Sequence, residues 1–141
     1  MQSKKQVGAL PVRRTRSGAL RVLLVTSRET RRLVIPKGWP WRGVKDYKAA
    51  AEEAREEAGI LGKTRKKAIG SYSYQKRRPS GDVPVRVKVF LLEVEVELDE
   101  WPERGQRERI WCTPKKAAAS VAEPELSELI LSLAEAEDDI E

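Results

Sequence analysis

The sequence predicts a mixed α/β domain (α+β in the order of its elements), with a mixed β-sheet sandwiched between helices. Apolar runs of strand length, such as Ala19–Thr26 and Val83–Glu97, lie on both sides of one helical segment whose alanines and glutamates are segregated. Two further helical segments open at prolines near the C-terminus, at Pro114 and Pro124. At 141 residues the chain fits one domain, 1–141, with enough length to bury a real core. It has no internal repeat and no linker long enough to divide it.

Lys5–Arg13 is mostly apolar and ends in a basic turn, Arg13–Gly18, before the run Ala19–Thr26 (ALRVLLVT). The pair reads as a β-hairpin with a longer loop. Leu33-Val34-Ile35 is a short third strand stopped by Pro36. Lys37–Gly43 (KGWPWRG) reads as a loop. Asp46 is expected to N-cap a helix that runs to about Ala58, with Gly59 just past its end. Lys66–Gln75 and Val83–Glu97 read as strands joined by the turn-rich Lys76–Asp82. In the second, Val85, Val87, Val89 and Leu91 alternate with Arg86, Lys88 and Phe90. Trp101–Arg109 reads as a polar connection and Ile110–Cys112 as a last short strand, with Trp111 in the core. The final helix carries an apolar stripe of Leu126, Leu129, Ile130 and Leu133. Its acidic end, 135–141, opposes the helix dipole and is expected to fray.

Hydrophobic residues make up 40% and charged residues 35%, a composition that excludes a disordered chain. No apolar run is long enough to span a bilayer, so no membrane partner is expected. The N-terminus lacks the apolar stretch of a secretory signal. Cys112 is the only cysteine, which excludes an internal disulfide and fits a cytoplasmic setting. Histidine is absent, so a Cys/His zinc site is excluded and any metal must be held by oxygen. That points to magnesium, manganese or calcium.

The net charge of +6 is unevenly spread: residues 1–48 hold 13 Lys/Arg against 2 Asp/Glu, whereas residues 49–141 hold 15 against 20. A basic half beside an acidic half suits a site with one wall for a polyanion and another for metal, or is a biased solubilising surface. The basic residues form no recognisable nucleic-acid module, so nucleic acid is not expected as the main partner. A monomer or a homodimer is compatible with the sequence.

Glu52-Glu53-Ala54-Arg55-Glu56-Glu57 is the most informative stretch. At roughly 100° per residue the four glutamates share one side of the helix, and Ala50, Ala51, Ala54 and Ala58 gather with Tyr47 opposite. Like charges at i,i+4 repel by roughly 0.2–0.5 kcal/mol per pair. A divalent cation converts that repulsion into coordination; a solvated surface face, with Lys48 and Arg55 offsetting Glu52, is the bland alternative.

The stripe follows a glycine-containing loop and ends at Gly59-Ile60, and these residues together resemble the Nudix signature, G-x5-E-x7-R-E-U-x-E-E-x-G-U, over 23 residues from Gly38 to Ile60. Gly38, Glu53, Ala54, Glu56-Glu57 and Gly59-Ile60 match it. Val44 stands where the family has its first glutamate and Glu52 where it has arginine. The resemblance implies a Nudix-like fold over nearly the whole chain. It also implies metal-dependent hydrolysis of a phosphoanhydride bond in a polyphosphorylated small molecule, with Mg2+ or Mn2+ as cofactor. It makes Glu53, Glu56, Glu57 and the Gly38 carbonyl the metal ligands, and Glu57 and Glu53 the catalytic candidates, Glu57 foremost as the base.

Within that group, VLLVTSR…RRLVIPKG and RGQRERIWCTPKKA are similar to diphosphoinositol polyphosphate phosphohydrolases, which also cleave dinucleoside polyphosphates. The resemblance places Lys4, Ser27 and Arg28 at a phosphate site. Arg86 and Lys88 on one strand face, and Lys37 and Gly38 in the loop, are positional candidates for substrate binding. Trp39 and Trp41 are open between stacking on a base and packing. The departures at Val44 and Glu52 leave a second class open, a non-catalytic nucleotide- or polyanion-binding module with a degraded box.

Overall fold

The computed structural model describes residues 4–139, with side chains through Glu135. Its elements run β1 (Lys4–Arg14), β2 (Leu20–Thr26), β3 (Leu33–Val34), β4 (Lys37–Gly38), α1 (Asp46–Ala58), β5 (Ile60–Thr64), β6 (Gly70–Lys76), β7 (Val83–Glu97), β8 (Arg109–Cys112), α2 (Pro114–Ser120) and α3 (Pro124–Asp139). The strands form one mixed eight-stranded sheet. β1 and β2 pair antiparallel with Val12 opposite Val22, the hairpin read from the sequence. β1 then runs parallel to β7 from Lys4–Val85 to Val12–Glu93. Val7, Ala9 and Leu10 of β1 are fully buried, which explains why a strand between two neighbours reads as a continuous apolar run.

Alternation along β7 sends its two sets of side chains into two cores. Val85, Val87, Val89 and Leu91 pack with Tyr72, Leu126 and Ile130 under α2 and α3. Phe90 and Leu92 pack with Ala49, Ala50, Ala54 and Ala58 under α1. Helices therefore cover both faces of the sheet, as expected. Among the described residues no helix is long and apolar enough to cross a membrane.

Several elements differ from the sequence expectation. Lys37–Gly38, read as loop, is a two-residue strand because its backbone pairs with Val7 and Gly8 of β1. Ile60–Thr64 is a strand that the sequence reading did not separate, paired with β7 across an irregularity at Leu61/Gly62. Asp46 is the first helical residue of α1, not its cap. Lys45 holds the cap position without a side-chain hydrogen bond, and the Asp46 carboxylate instead accepts from Lys88 Nζ at 3.1 Å. Trp111 is half-buried rather than enclosed; its Nε1 donates to Glu97 Oε1 at 2.9 Å and Arg13 lies over its ring at 4.0 Å. α3 remains helical to Asp139, into the segment expected to fray. The side chains of 136–139, and residues 1–3 and 140–141, lie outside the described residues.

Candidate active site

The glutamate helix is held by its alanines. Ala49, Ala50, Ala54 and Ala58 are fully buried, so the opposite side of α1 looks away from the sheet. Only the small Cβ of alanine lets the helix lie this close without displacing its neighbours. α1 ends at Gly59, whose φ of 63° and ψ of 38° form a left-handed cap that an L side chain resists. A Cβ there would also fall 2.4 Å from the Trp101 ring.

The connection after β7 folds back onto this helix end. Trp101 Nε1 donates to the Glu57 carbonyl at 3.2 Å, and the Glu103 amide donates to the Glu56 carbonyl at 3.1 Å. Arg109 Nη1 donates to the carbonyls of Ala58, Gly59 and Leu98 at 3.3, 3.2 and 2.9 Å. These contacts satisfy the terminal carbonyls of α1 and carry Glu103 and Arg107 beside the glutamates. Arg107 is the cation of the cluster. Its Nε donates to Glu103 Oε1 at 2.7 Å, its Nη1 to the Thr26 carbonyl at 3.1 Å, and its Nη2 lies 3.8 Å from Glu57 Oε1. Neither Glu103 nor Arg107 was singled out from the sequence. Both sit in a stretch that reads as a polar connection, although the string RGQRERIWCTPKKA contains Arg107.

Glu53, Glu56 and Glu57 all line one cavity of about 790 Å³, with Gly38, Glu103 and Arg107. Glu53 lies directly on the Gly38 backbone, since a Cβ at 38 would come 2.1 Å from its Oε1. The Lys37 amide donates to Glu57 Oε1 at 3.3 Å. Glu52 is turned aside: its carboxylate accepts from Arg55 Nε at 2.8 Å and is ion-paired with the same guanidinium. Arg55, rather than Lys48, is therefore its partner, and Glu52 does not line the cavity.

Burial and repulsion dominate the electrostatics. Burial first, then the charges of Glu57, Glu56 and Glu103, push the Glu53 carboxyl up to about 7. Glu57 is likewise raised to about 7 by burial, against the opposing pull of Arg107 and Lys37. Lys37 is lowered, first by burial, with Glu57 and Glu123 working the other way. Its Nζ sits 4.9 Å from the centre of the Tyr74 ring, and the Tyr74 hydroxyl donates to Gln6 Oε1 at 2.8 Å.

Of the basic candidates, Arg28 and Lys37 line this cavity, as does Ser27. The Ser27 hydroxyl bonds Thr30 Oγ1 at 2.5 Å and accepts from the Arg32 amide at 3.2 Å, so it also shapes the turn after β2. Arg28 donates to Gln106 at 3.2 Å and lies 3.8 Å from Glu103. Lys76 and Arg77 join them, unanticipated. Arg86 and Lys88 do not. They line a different cavity on the α1 side of β7, in which Lys88 pairs with Asp46, while Arg86 reaches out of it to Glu125. Lys4, at the exposed start of β1, lines neither. Trp39 and Trp41 are 39% and 44% exposed, and Trp39 lines the glutamate cavity with Arg78 5.7 Å above its ring.

Among the described residues no three acidic side chains are drawn into a closed cation cage. The chemistry of the donors nevertheless fits a hard divalent cation. Carboxylates that burial makes costly to ionise, with glutamate repulsion added at Glu53, share a cavity with a backbone that glycine leaves open, and a bound cation offsets both costs.

The comparisons with known proteins agree with this architecture. The chain is 36% identical to the Arabidopsis thaliana protein "Nudix hydrolase 12, mitochondrial" over 102 residues, which cover 70% of this chain and 50% of that one. It thus spans about half the length of the curated relatives it matches. A NUDIX hydrolase structure from Nitrosomonas europaea superposes with a TM-score of 0.71 at 16% identity, covering 96% of this chain and 91% of that one. A C. elegans Ap4A hydrolase binary complex does so with a TM-score of 0.68 at 19% identity, covering 93% and 95%. At such identities the structures share the fold. The model of the NUDIX domain matches residues 3–133, nearly the whole chain, and the chain belongs to the NUDIX domain family.

Proposed function

We propose that the chain is a metal-dependent pyrophosphohydrolase that cleaves a phosphoanhydride bond in a small polyphosphorylated molecule. One observation carries the reading. Glu53, half-buried, and Glu57, buried, line one cavity with Glu56 and the open Gly38 backbone, and Arg28, Lys37, Lys76 and Arg77 line the same cavity. Glu53, Glu56, Glu57 and the Gly38 carbonyl are the ligands for Mg2+ or Mn2+. When bound, the metal neutralises phosphate charge and makes water a better nucleophile. Arg28 and Lys37 hold the phosphate oxygens. Glu57 takes the proton of the attacking water as the bond from phosphorus to the bridging oxygen breaks, and Arg107 fixes the direction of its carboxylate. Diphosphoinositol polyphosphates and dinucleoside polyphosphates are the substrate classes that such a lining suits.

The replacement of the motif's arginine and first glutamate by Glu52 and Val44 favours a second reading, a binding module of the same fold. A phosphate-release screen over diphosphate substrates with Mg2+ or Mn2+ separates the two. Turnover that requires metal and disappears in Glu57→Gln supports the hydrolase. Tight nucleotide binding with no release from any substrate supports the module.

A further inference from the structure

The larger of the two described cavities, about 1250 Å³, is not the one that holds the glutamates. It opens between the N-terminal turn of α1 and the β5–β6 connection, beside the first half of β7. Lys5, Lys45, Lys66, Lys67, Arg86 and Lys88 surround it, and Asp46 is the one carboxylate in its lining. Asp46 is engaged by Lys88 at 3.1 Å, and Arg86 reaches over edge strand β6 to Glu125 at 3.0 Å. No ion pair of Lys5, Lys45, Lys66 or Lys67 appears among the described residues. Four such cations lining one concavity form a positive field that an anion would neutralise. The floor between them is apolar, formed by Val7, Val44, Tyr47, Ile69 and Phe90.

We propose that this cavity is a second ligand site, separate from the glutamate cavity, for a small molecule that carries phosphates and a flat apolar ring. The lysines take the phosphates, and the ring lies against Tyr47, Val44 and Ile69. Two features favour a small ligand over a macromolecule. The cations ring a single concavity rather than tracking along an extended surface, as a nucleic-acid strand requires. Val44, Tyr47 and Ile69 are half-buried in its lining and Val7 and Phe90 are buried beneath, while the protruding Leu61, Val96 and Leu131 that a lipid surface would engage lie outside its lining. Arg86 and Lys88 then serve this site rather than the reaction.

The test is a titration of the full chain with ATP in EDTA, read by calorimetry and thermal shift. Without metal the carboxylates of the other cavity repel the nucleotide. The inference expects saturable ATP binding that weakens at least about tenfold in Lys66→Glu/Lys67→Glu and in Lys45→Glu, and stays unchanged in Arg28→Glu. Should the double reversal not fold, Lys66→Gln/Lys67→Gln carries the same expectation with a smaller loss. Tripolyphosphate should bind more weakly than ATP, because it lacks the ring. Metal-dependent turnover should be untouched by the Lys66 and Lys67 variants. Absence of ATP binding overturns the inference, as does binding lost in Arg28→Glu and kept in the lysine variants. Tripolyphosphate equal to ATP removes the ring from the proposal. Binding of an RNA oligonucleotide or of phosphatidylserine vesicles without ATP binding assigns the surface to a macromolecule and overturns the site as proposed.

Discussion

Arg107 Nη2 lies 3.8 Å from Glu57 Oε1, and each side chain is only about a tenth exposed. The same guanidinium bonds Glu103 and the Thr26 carbonyl, so one residue of the β7–β8 connection ties α1, its own loop and β2 together. It supplies a cation to the glutamates from outside the helix, where motif position 52 carries Glu52 paired to Arg55.

Arg107→Met should therefore destabilise the protein by about 3 kcal/mol, since it leaves Glu57 and Glu103 without their shared cation. It should also reduce kcat, because the Glu57 carboxylate loses its anchor and its proton affinity rises further. Arg107→Lys keeps the charge but not the three-way contact, and should recover part of the stability and less of the kcat. Thermal melting and steady-state kinetics of both variants check this. A methionine variant that melts and turns over like the parent contradicts the positioning role.

The raised carboxyls predict a pH dependence of the metal-free protein. Glu53 and Glu57 move from 4.5 to about 7, so the folded chain holds these protons more tightly than the unfolded one. The contribution is fully present below about pH 4.5 and is lost as pH rises through about 7. Melting in EDTA should accordingly fall between about pH 5 and 7.5. Mg2+ should offset the loss at pH 8 by neutralising the same carboxylates. Histidine is absent, and the side chain that works against this slope is Lys37, whose ammonium is held below its usual range by burial. A melting temperature flat across it, or a slope unchanged in Glu53→Gln/Glu57→Gln, would count against the assignment.

Gly38→Ala separates the site from the fold. The new Cβ would meet the end of the flexible Glu53 side chain, at 2.1 Å from Oε1, and not the backbone. Melting should shift little, while Glu53 is pushed off the Gly38 backbone and kcat falls about tenfold or more. The two readouts moving together would mean that the glycine is structural.

Ala54→Leu makes the opposite separation. Ala54 is fully buried beneath α1, away from the cavity. A leucine there should overpack the helix–sheet contact and cost about 1–3 kcal/mol. Denaturant unfolding checks it, and an unchanged midpoint would show that α1 is not seated by this face.

What the sequence made legible followed from local pattern. The Ala/Glu segregation located α1 and most of its buried face, although Ala49 is buried and Ala51 only half-buried, and the alternation in Val83–Glu97 located the strand that divides the two cores. What it hid depends on distant pairing. Lys37–Gly38 is a strand only because β1 lies beside it. Ile60–Thr64 is short, with an exposed Leu61 and a glycine, and shows no clean alternation. Glu103 and Arg107 reach the site through backbone bonds from the connection to the end of α1, and no spacing rule reports those. Arg86 and Lys88 share a strand face as read, but that face opens on the other cavity.

The four glutamates of α1 give the sharpest test, because their surroundings differ while their chemistry is the same. Glu53, Glu56 and Glu57 line the cavity with Gly38, whereas Glu52 turns to Arg55. Glu53→Gln and Glu57→Gln keep side-chain volume and remove a charge, so each should lower kcat by at least about 10²-fold. Neither should destabilise the metal-free fold at pH 8, since each removes a carboxylate that burial makes costly to ionise, with repulsion from neighbouring glutamates added at Glu53. Glu56→Gln should mainly weaken metal affinity, as its carboxylate is more exposed than that of Glu57. Glu52→Gln loses one partly exposed i,i+3 pair, roughly 0.2–0.5 kcal/mol, and should leave kcat unchanged. The four variants are compared by kcat, by metal titration and by melting, with Mg2+ and with Mn2+. Were Glu52→Gln to abolish turnover while Glu57→Gln kept it, the functional face of α1 would be rotated from the cavity that its carboxylates line.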